Sequence, residues 1–285
     1  MFLTMLSIFF IFSLYLILTK IIFYRCRNKN GKECLIRLIS NQRNISLIRS
    51  LNTSDYNKLV SDGVRALLIT AHPDDECMFF APTILRLLEL NASVHLLCLS
   101  SGNYYNQGNQ RQKELLDSCD VLGIPSSQVI IVDNKELPDS PAVEWSIQLI
   151  SSLVLKQVKE SSINLVLTFD ICGVSGHANH IAIYKALRYL GSSGRIPDGC
   201  CFLSLQSISI IRKYLSILEL PISWTRASDY STVATWKQYR RARAAMLRHR
   251  SQLLWFRHLY LLFSRYMLIN TFQVIVAKEK DLKSQ

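Results

Sequence analysis

Apolar positions follow two patterns along the chain. Residues 1–19 are uncharged and almost wholly apolar, and apolar positions continue beyond Lys20. About 20 apolar residues in a helix are enough to cross the hydrocarbon core of a bilayer. From residue 63 onward the apolar runs are short and alternate with segments of helical periodicity. The pattern predicts one membrane-spanning helix, residues 1–24, followed by an α/β domain.

The short apolar runs predict strands, and the segments between them predict helices. We expect strands at residues 64–70, 94–100, 129–132, 165–169 and 202–205, and helices at residues 83–90, 109–122, 142–160 and 181–190. Gly123 follows the second helix, where glycine is a common C-cap. Strands that alternate with helices form mostly parallel sheets. The expected fold class is therefore α/β and Rossmann-like, a mostly parallel sheet with helices on both faces, preceded by one N-terminal transmembrane helix.

Charged residues next to the apolar segment predict its orientation. Residues 25–50 contain seven basic residues and one acid, whereas nothing before the segment is charged except the terminal amine. The positive-inside rule then places everything after residue 24 in the cytosol. A cleaved signal peptide needs a basic n-region and a small-residue cleavage site. Neither is present, so we expect an uncleaved anchor.

Two further features bear on this topology. Asn44, Asn52 and Asn91 begin glycosylation sequons, which should carry sugar in a lumenal domain and none in a cytosolic one. The eight cysteines include no Cys-x-x-Cys pair, which favours reduced, buried side chains in a cytosolic domain. We interpret Cys77 and Cys172 in the same way, as packing residues.

The C-terminal part is basic and is expected to be helical. Residues 237–265 contain eight positive residues and no acid. Nucleic acid is one partner for such a patch, but no nucleic-acid motif accompanies it, and we expect none to bind. A protein with its own anchor is held at a membrane, and the anionic cytosolic face of that membrane attracts basic segments. The apolar residues among residues 253–267 could contact lipid, although core packing is expected to account for most of them. The predicted domains are an anchor (1–24), a basic juxtamembrane linker (25–62) and a globular domain (63–285).

A polar cluster follows the first predicted strand. Pro73 should end that strand near His72 and suits the first turn of a helix. His72 and Asp75 are three residues apart and share a face on an entering helical turn. An imidazole and a carboxylate there are suitable ligands for zinc, and Asp74 between them can act as a base. A helix N-terminus that merely carries acids is the alternative for this motif alone.

A second cluster follows the strand at residues 165–169. It holds two histidines three residues apart, His177 and His180, at the start of a helix. Strand ends can converge at one edge of a parallel sheet, where ligands bind. The two clusters together offer His72, Asp75 and one of the later histidines as a three-ligand site with a position open for water. The residues alone do not decide between His177 and His180, nor between Asp74 and Asp75.

A third polar segment follows the strand at residues 94–100. In the loop 101–108, paired tyrosines and amides, Asn103 among them, are suited to binding a carbohydrate. Arg111 is a candidate for holding a phosphate or sugar hydroxyls, although a solvated helix charge explains it equally well. Glu114 is expected to pair with Arg111 or to stay solvated.

These motifs together resemble the de-N-acetylase superfamily of zinc amidases, and most closely its branch in GPI-anchor synthesis. The resemblance extends from about residue 64 to residue 269. The segments that carry it are residues 71–82, 101–108, 113–116, 168–170, 173–180 and 251–256.

The resemblance implies a fold, an activity and roles for individual residues. It implies removal of acetyl from N-acetylglucosaminylphosphatidylinositol, a lipid-linked substrate, at the cytosolic face of the endoplasmic reticulum membrane. Zinc, or another divalent metal, would be held by His72, Asp75 and His180. Asp74 would be the base, and a protonated His177 would stabilise the oxyanion.

Asn179 departs from the bacterial branch, which tends to place aspartate there, but agrees with the GPI-pathway branch. Two alternatives remain at this point: a deacetylase of a small soluble N-acetylglucosaminide, and a non-catalytic membrane-tethered binding protein. The anchor argues against the first, and the intact set of polar site residues argues against the second.

Overall fold

The computed structural model describes residues 2–29, 31–41, 63–140 and 142–275. Seven strands form one sheet in the order β3-β2-β1-β4-β5-β7-β6. Their bounds are Arg65–Thr70 (β1), Ser93–Cys98 (β2), Val129–Ile131 (β3), Leu165–Phe169 (β4), Cys201–Leu205 (β5), Tyr230–Val233 (β6) and Ile269–Val274 (β7). The first five strands pair in parallel, and β7 pairs antiparallel with both β5 and β6.

Helices surround this sheet. Those before β3 are Phe2–Lys29 (α1), Lys32–Asn41 (α2), Asp75–Phe79 (α3), Ala81–Glu89 (α4) and Gly108–Leu122 (α5). Those after β3 are Ile147–Glu160 (α6), Gly173–Gly176 (α7), Ala178–Ser192 (α8), Ile210–Lys213 (α9), Leu220–Trp224 (α10), Trp236–Met246 (α11) and Trp255–Phe263 (α12).

The centre of the sheet places two loops beside each other. β1 and β4 are adjacent and parallel, with Leu67 opposite Val166. Every residue of β4 is buried, as is every residue of β1 after Arg65, which explains why both read as continuous apolar runs. The strand order changes direction between β1 and β4, and such a switch point opens a crevice at the carboxyl ends of the strands. The loops after Thr70 and Phe169 border this crevice.

The predicted elements correspond to observed ones with small shifts in their bounds. The predicted C-cap glycine, Gly123, has φ 87° at the end of α5. Helix α6 begins at Ile147 rather than at residue 142, because the Ser146 hydroxyl accepts a hydrogen bond from the Leu149 amide at 3.3 Å and caps the helix there.

The basic C-terminal segment, residues 237–265, contains helices α11 and α12, in agreement with the expectation of a helical segment. The flanking strands β6 and β7 were not predicted, and they add an antiparallel pair to the sheet. The hydrophobic pattern did not predict β7, because the strand contains the polar residues Asn270, Thr271 and Gln273. Asn270 is fully buried; its Oδ1 accepts from the Thr83 hydroxyl at 2.8 Å, and its Nδ2 donates to the Phe79 carbonyl at 2.8 Å. These bonds offset the cost of burying the amide and fix the strand against α4.

Helix α1 is long and apolar enough to cross a membrane. Its N-terminal half is exposed, whereas its C-terminal half packs on the domain through Ile22 and Cys26, which contact Leu220 and Ile269. The Arg27 guanidinium also lies 3.3 Å from a Glu89 carboxylate oxygen. The helix is therefore joined to the sheet domain along part of its length.

The segment interpreted as a basic linker contains helix α2. Its side chains Leu35, Ile36 and Ile39 are buried in the main core, so this part of the segment is folded onto the domain. Residues 42–62, with the sequons at Asn44 and Asn52, lie outside the described residues.

Candidate metal centre

Three histidines meet at the carboxyl edge of β1 and β4. Potential ligand atoms of His72, His177 and His180 lie within 4.8 Å of one another. The His180 ring stacks on Phe169, the last residue of β4, with ring centroids 3.8 Å apart and planes inclined by 8°. The two clusters that lie a hundred residues apart in sequence therefore form one site, as expected from the parallel strands.

Asp75 completes this group. Its Oδ2 accepts hydrogen bonds from the amides of Ala71 (3.0 Å) and His72 (2.9 Å). The same oxygen lies 3.2 Å from His180 Nε2 and 3.8 Å from His72 Nδ1. Burial acts to raise the pKa of Asp75, but the charges and hydrogen bonds of His180 and His72 outweigh it and hold the pKa well below its usual range. Asp75 is therefore an anion in the folded protein.

The orientation of His180 is set by the loop before it. His180 Nδ1 lies 3.1 Å from the Gly173 carbonyl, which can only accept, so Nδ1 carries a proton and Nε2 is the nitrogen directed at Asp75. Gly173 has φ 56°, and a Cβ there would lie 3.0 Å from His180 Cβ. The next residue, Val174, has φ 62°, a strained conformation for a β-branched side chain. This strained segment places the Gly173 carbonyl next to the His180 imidazole.

His72 is oriented by a carboxylate that the sequence did not single out. Its Nε2 lies 3.1 Å from Asp139 Oδ1, and Arg111 Nη1 donates to Asp139 Oδ2 at 3.0 Å. Burial acts to lower the pKa of His72. The hydrogen bond to Asp139 and the charge of Asp75 outweigh this effect, so the pKa of His72 is raised overall. With Nε2 directed at Asp139, His72 presents Nδ1 to Asp75.

The donor set fits a divalent metal. Two imidazole nitrogens face one carboxylate oxygen, an arrangement in which a divalent cation can take the place of the protons that these nitrogens otherwise share with the carboxylate. Asn179, fully buried between the histidines, has its Nδ2 3.1 Å from His72 Nε2 and no hydrogen-bond partner for its Oδ1 among the described residues. If the amide were reversed, Oδ1 would accept the His72 proton. Ligand histidines that donate their other N–H to a carboxylate or a carbonyl are characteristic of protein metal sites.

Asp74 lies beside this group and is also buried. Its φ of 108° is outside the usual range for a non-glycine residue. Its Oδ2 lies 3.2 Å from Arg257 Nη2, and its amide donates to Glu76 Oε2 at 3.1 Å. Burial raises the pKa of Asp74, and the charge of Arg257 opposes this only in part. A carboxylate with a raised pKa is better matched to proton transfer near neutral pH.

Glu76, which accepts from the Asp74 amide, belongs to a buried polar network. Glu76 Oε1 lies 2.8 Å from His249 Nε2 and accepts from the Ser118 hydroxyl at 2.5 Å. Glu114, expected to pair with Arg111 or to stay solvated, does neither: it accepts from the amide and hydroxyl of Ser251 at 2.9 and 2.5 Å. These bonds tie α3 and α5 to the turn after α11.

His177 is half-buried, and its Nδ1 accepts from the Asn179 amide at 3.3 Å. Burial and the neighbouring His72 and His180 lower the pKa of His177 to about 4. This shift favours a neutral imidazole with its proton on Nε2, whereas the family resemblance implied a protonated one.

Arg111 and Asn103, the two expected substrate-binding residues, differ in how accessible they are to a substrate. Arg111 is neither solvated nor open: besides Asp139, it donates to the carbonyls of Gly102 and Pro73, both at 2.9 Å. It therefore holds the loop after β2 against the loop after β1. Asn103 is exposed, and its Oδ1 accepts from the Gly108 amide at 2.9 Å.

Cys77 and Cys172 also differ. Cys77 is buried against Met246, with the two sulfurs 3.5 Å apart, which confirms a packing role. Cys172 is exposed, so the prediction that it is a packing residue was wrong.

The fold and the site together define a class of protein. It is an α/β protein with a histidine–carboxylate group, able to hold a metal ion, at the carboxyl edge of a seven-stranded sheet. A family model described as GlcNAc-PI de-N-acetylase (PIG-L) matches residues 67–190. The chain belongs to this family of de-N-acetylases.

The relatives extend beyond the matched region. The chain is 54% identical to N-acetylglucosaminyl-phosphatidylinositol de-N-acetylase of Bos taurus over 213 residues, 75% of this chain and 84% of that protein. It is 32% identical to a probable N-acetylglucosaminyl-phosphatidylinositol de-N-acetylase of Dictyostelium discoideum, over 77% of this chain and 96% of that protein. The structure of N,N'-diacetylchitobiose deacetylase from Pyrococcus horikoshii has the same fold, with a TM-score of 0.55 and 16% identity, over 80% of this chain and 94% of that one.

Sequence reasoning missed three side chains of the site: Asp139, Arg257 and His249. Only Asp139 had a usable signal, because it follows β3, whose carboxyl end lies at the same edge of the sheet as those of β1 and β4. Arg257 was counted only as part of a basic segment, and His249 was not considered.

Asp139→Asn is expected to weaken metal binding by about 10- to 100-fold, because it removes the carboxylate that orients His72. The measurement is metal retained by the purified chain against graded chelator. Asp133→Asn is the matched control, since Asp133 is a nearby exposed acid that accepts from Ser101 at 3.2 Å and does not contact His72. Equal retention by both variants would show that Asp139 does not orient the ligand.

Proposed function

We propose that this protein is a metal-dependent amide hydrolase that removes acetyl from N-acetylglucosaminylphosphatidylinositol. The products are glucosaminylphosphatidylinositol and acetate, in the second step of GPI-anchor biosynthesis. The observation that carries the proposal is the group of His72, Asp75 and His180 beside the buried Asp74, in a chain 54% identical to a bovine protein of that name.

Three residues, His72, Asp75 and His180, would hold the metal, and we propose zinc. Two nitrogens and one oxygen form the type of three-ligand set that leaves a position open. Zinc supplies a Lewis acid that makes water nucleophilic near neutral pH. Asp139 and the Gly173 carbonyl keep the two imidazoles in the tautomers that binding requires.

Asp74 and His177 move protons and stabilise charge in this proposal. Asp74 takes a proton from the attacking water and delivers it to the departing amine. Arg257, 3.2 Å away, keeps the Asp74 carboxylate oriented. His177 donates from Nε2 to the acetyl oxygen as negative charge develops there, since its Nδ1 accepts from a backbone amide. Asn103 and the exposed Tyr104 and Tyr105 offer a surface for the sugar.

The experiment that tests the proposal measures acetate release from N-acetylglucosaminylphosphatidylinositol by microsomes that contain the full chain. Activity lost with a chelator and restored by zinc is the expected result. Metal-dependent release only from water-soluble N-acetylglucosaminides would instead assign a soluble substrate. No release from either, with metal still bound, would assign a binding protein.

We further propose a single-pass protein of the endoplasmic reticulum membrane, anchored by α1, with the sheet domain in the cytosol. Asn91, exposed with φ 58°, is an accessible sequon in the described part of the domain. We expect no glycosidase-sensitive shift in gel mobility for the full chain expressed in cells. A sequon appended before residue 1 should become glycosylated and serves as the control, whereas sugar on Asn91 would place the domain in the lumen.

A further inference from the structure

A groove of about 430 Å³ opens beside the metal centre. Helix α12 forms one wall, Lys213 and Tyr214 form the other, and Met78 and Phe79 of α3 also line it. The Phe79 side chain lies between the groove and the metal centre, since its ring centroid lies 6.0 Å from that of His180. The groove therefore lies within one side chain of the place where the amide would react.

Two cations line this otherwise apolar groove. Arg257 lies at the end nearest the metal centre, where it pairs with Asp74. Lys213 is half-buried, with Nζ 5.6 Å from the Tyr260 ring centroid and 5.8 Å from that of Tyr214. Within the described ranges no carboxylate forms an ion pair with Lys213, and burial and the charge of Arg257 lower its pKa. A half-buried ammonium without a counter-ion is stabilised by an anionic ligand.

Large apolar side chains surround the outer mouth of the groove. Trp255 of α12, which lines the groove, is 76% exposed. Of the apolar residues from 253 to 267, six are exposed (Leu254, Trp255, Phe256, Leu259, Leu262 and Phe263). The expectation that core packing accounts for most of them was therefore wrong. An exposed apolar patch of this kind marks a binding surface.

The groove also lies close to the membrane helix. The segment between α9 and α10 contacts α1, where the Tyr15 hydroxyl donates to the Leu218 carbonyl. Ile22 of α1 packs against Leu220. A lipid in the leaflet around α1 would therefore meet this side of the domain.

We propose that the groove binds the lipid part of the substrate, with Lys213 and Arg257 on the phosphodiester and the apolar wall of α12 along the acyl chains. This inference rests on the proposed function. In such a substrate one inositol ring separates the amino sugar from the phosphodiester. The anion then lies next to the reacting amide, on the side where the two cations line the groove.

The test of the cation uses the full chain in neutral detergent micelles that contain N-acetylglucosaminylphosphatidylinositol. Lys213→Gln is expected to raise KM about tenfold with little change in kcat, as for the loss of one charged hydrogen bond. Lys213→Arg should restore KM. Lys156→Gln, which removes an exposed lysine of α6, should behave as the wild type.

The test of the apolar wall compares two leucines of the same helix. Leu259 lines the groove, whereas Leu262 is equally exposed (48% and 50%) but does not line it. Leu259→Ser is expected to raise KM about fivefold through the lost apolar contact, and Leu262→Ser to leave it unchanged.

The outcomes separate this inference from the proposed function. Normal acetate release by the wild type with unchanged KM in Lys213→Gln and Leu259→Ser would overturn the groove alone. Equal losses in Leu259→Ser and Leu262→Ser would also overturn it, in favour of a general membrane contact. No release by the wild type would overturn the proposed function, and the inference with it.

Discussion

Asp74→Asn is expected to lower kcat for acetate release by about 10²- to 10⁴-fold, the usual contribution of a general acid–base group. The amide keeps the shape of the side chain but cannot take a proton from water. Asp74 is not among the proposed metal ligands, so the variant should retain metal. Initial rates and metal content of the purified full chain are the two measurements.

Asp117→Asn is the control for this variant, because Asp117 is an exposed acid of α5. It should retain wild-type kcat. If Asp74→Asn lost its metal together with its activity, Asp74 would belong to the ligand set and the assignment of Asp75 would be in doubt. A kcat within a few fold of wild type would remove Asp74 from proton transfer altogether.

Glu219→Gln is expected to lower the free energy of unfolding by about 3–5 kcal/mol, because it leaves a buried cation without its partner. Glu219 and Arg265 are both fully buried, with Arg265 Nε 2.6 Å from Glu219 Oε2. Arg212 pairs with Glu219 Oε1, and the Ser223 hydroxyl donates to Oε2, the oxygen that Arg265 contacts, at 2.6 Å. This cluster joins α9 and α10 to the turn before β7, behind the wall of the groove.

Urea denaturation of the full chain in detergent micelles, followed by tryptophan fluorescence, measures the loss. Glu144→Gln is the matched control, since Glu144 forms an exposed ion pair with Lys185 at 3.2 Å. Exposed pairs contribute only about 0–1 kcal/mol. A double variant, Glu219→Leu with Arg265→Met, should be less destabilised than Glu219→Gln, because no charge remains unpaired. A loss under 1 kcal/mol in Glu219→Gln would mean that water reaches Arg265.

Local sequence determined the framework of the site. Apolar runs that end in Thr70 and Phe169 predicted two buried strands, and polar clusters after them supplied the candidate ligands. Parallel strands end at the same edge of a sheet, so strand direction predicted that the cluster with His72 and Asp75 would meet the cluster with His177 and His180. Bounds shifted only where a cap intervened, as at Ser146.

Other features depended on contacts that no local pattern records. Periodicity missed β7, because buried Asn270 is stabilised by partners far away in the chain. Periodicity also predicted more buried side chains on α12 than the structure shows. An amphipathic helix has the same apolar face whether that face packs on its own protein or contacts another partner. Arg111 was expected in solvent or on substrate, yet three loops provide acceptors for its donors.

The sequence by itself thus determined the parallel strands, the motif residues at their ends and the apolar N-terminal helix, because each follows from neighbouring residues. Only the tertiary structure assigned Asp139 to His72, Arg257 to Asp74 and His249 to Glu76. It also distinguished His180, oriented toward Asp75 by the Gly173 carbonyl, from His177. Such pairings are decided by how distant segments pack, since a side chain's charge and tautomer depend on whatever lies within a few ångströms of it.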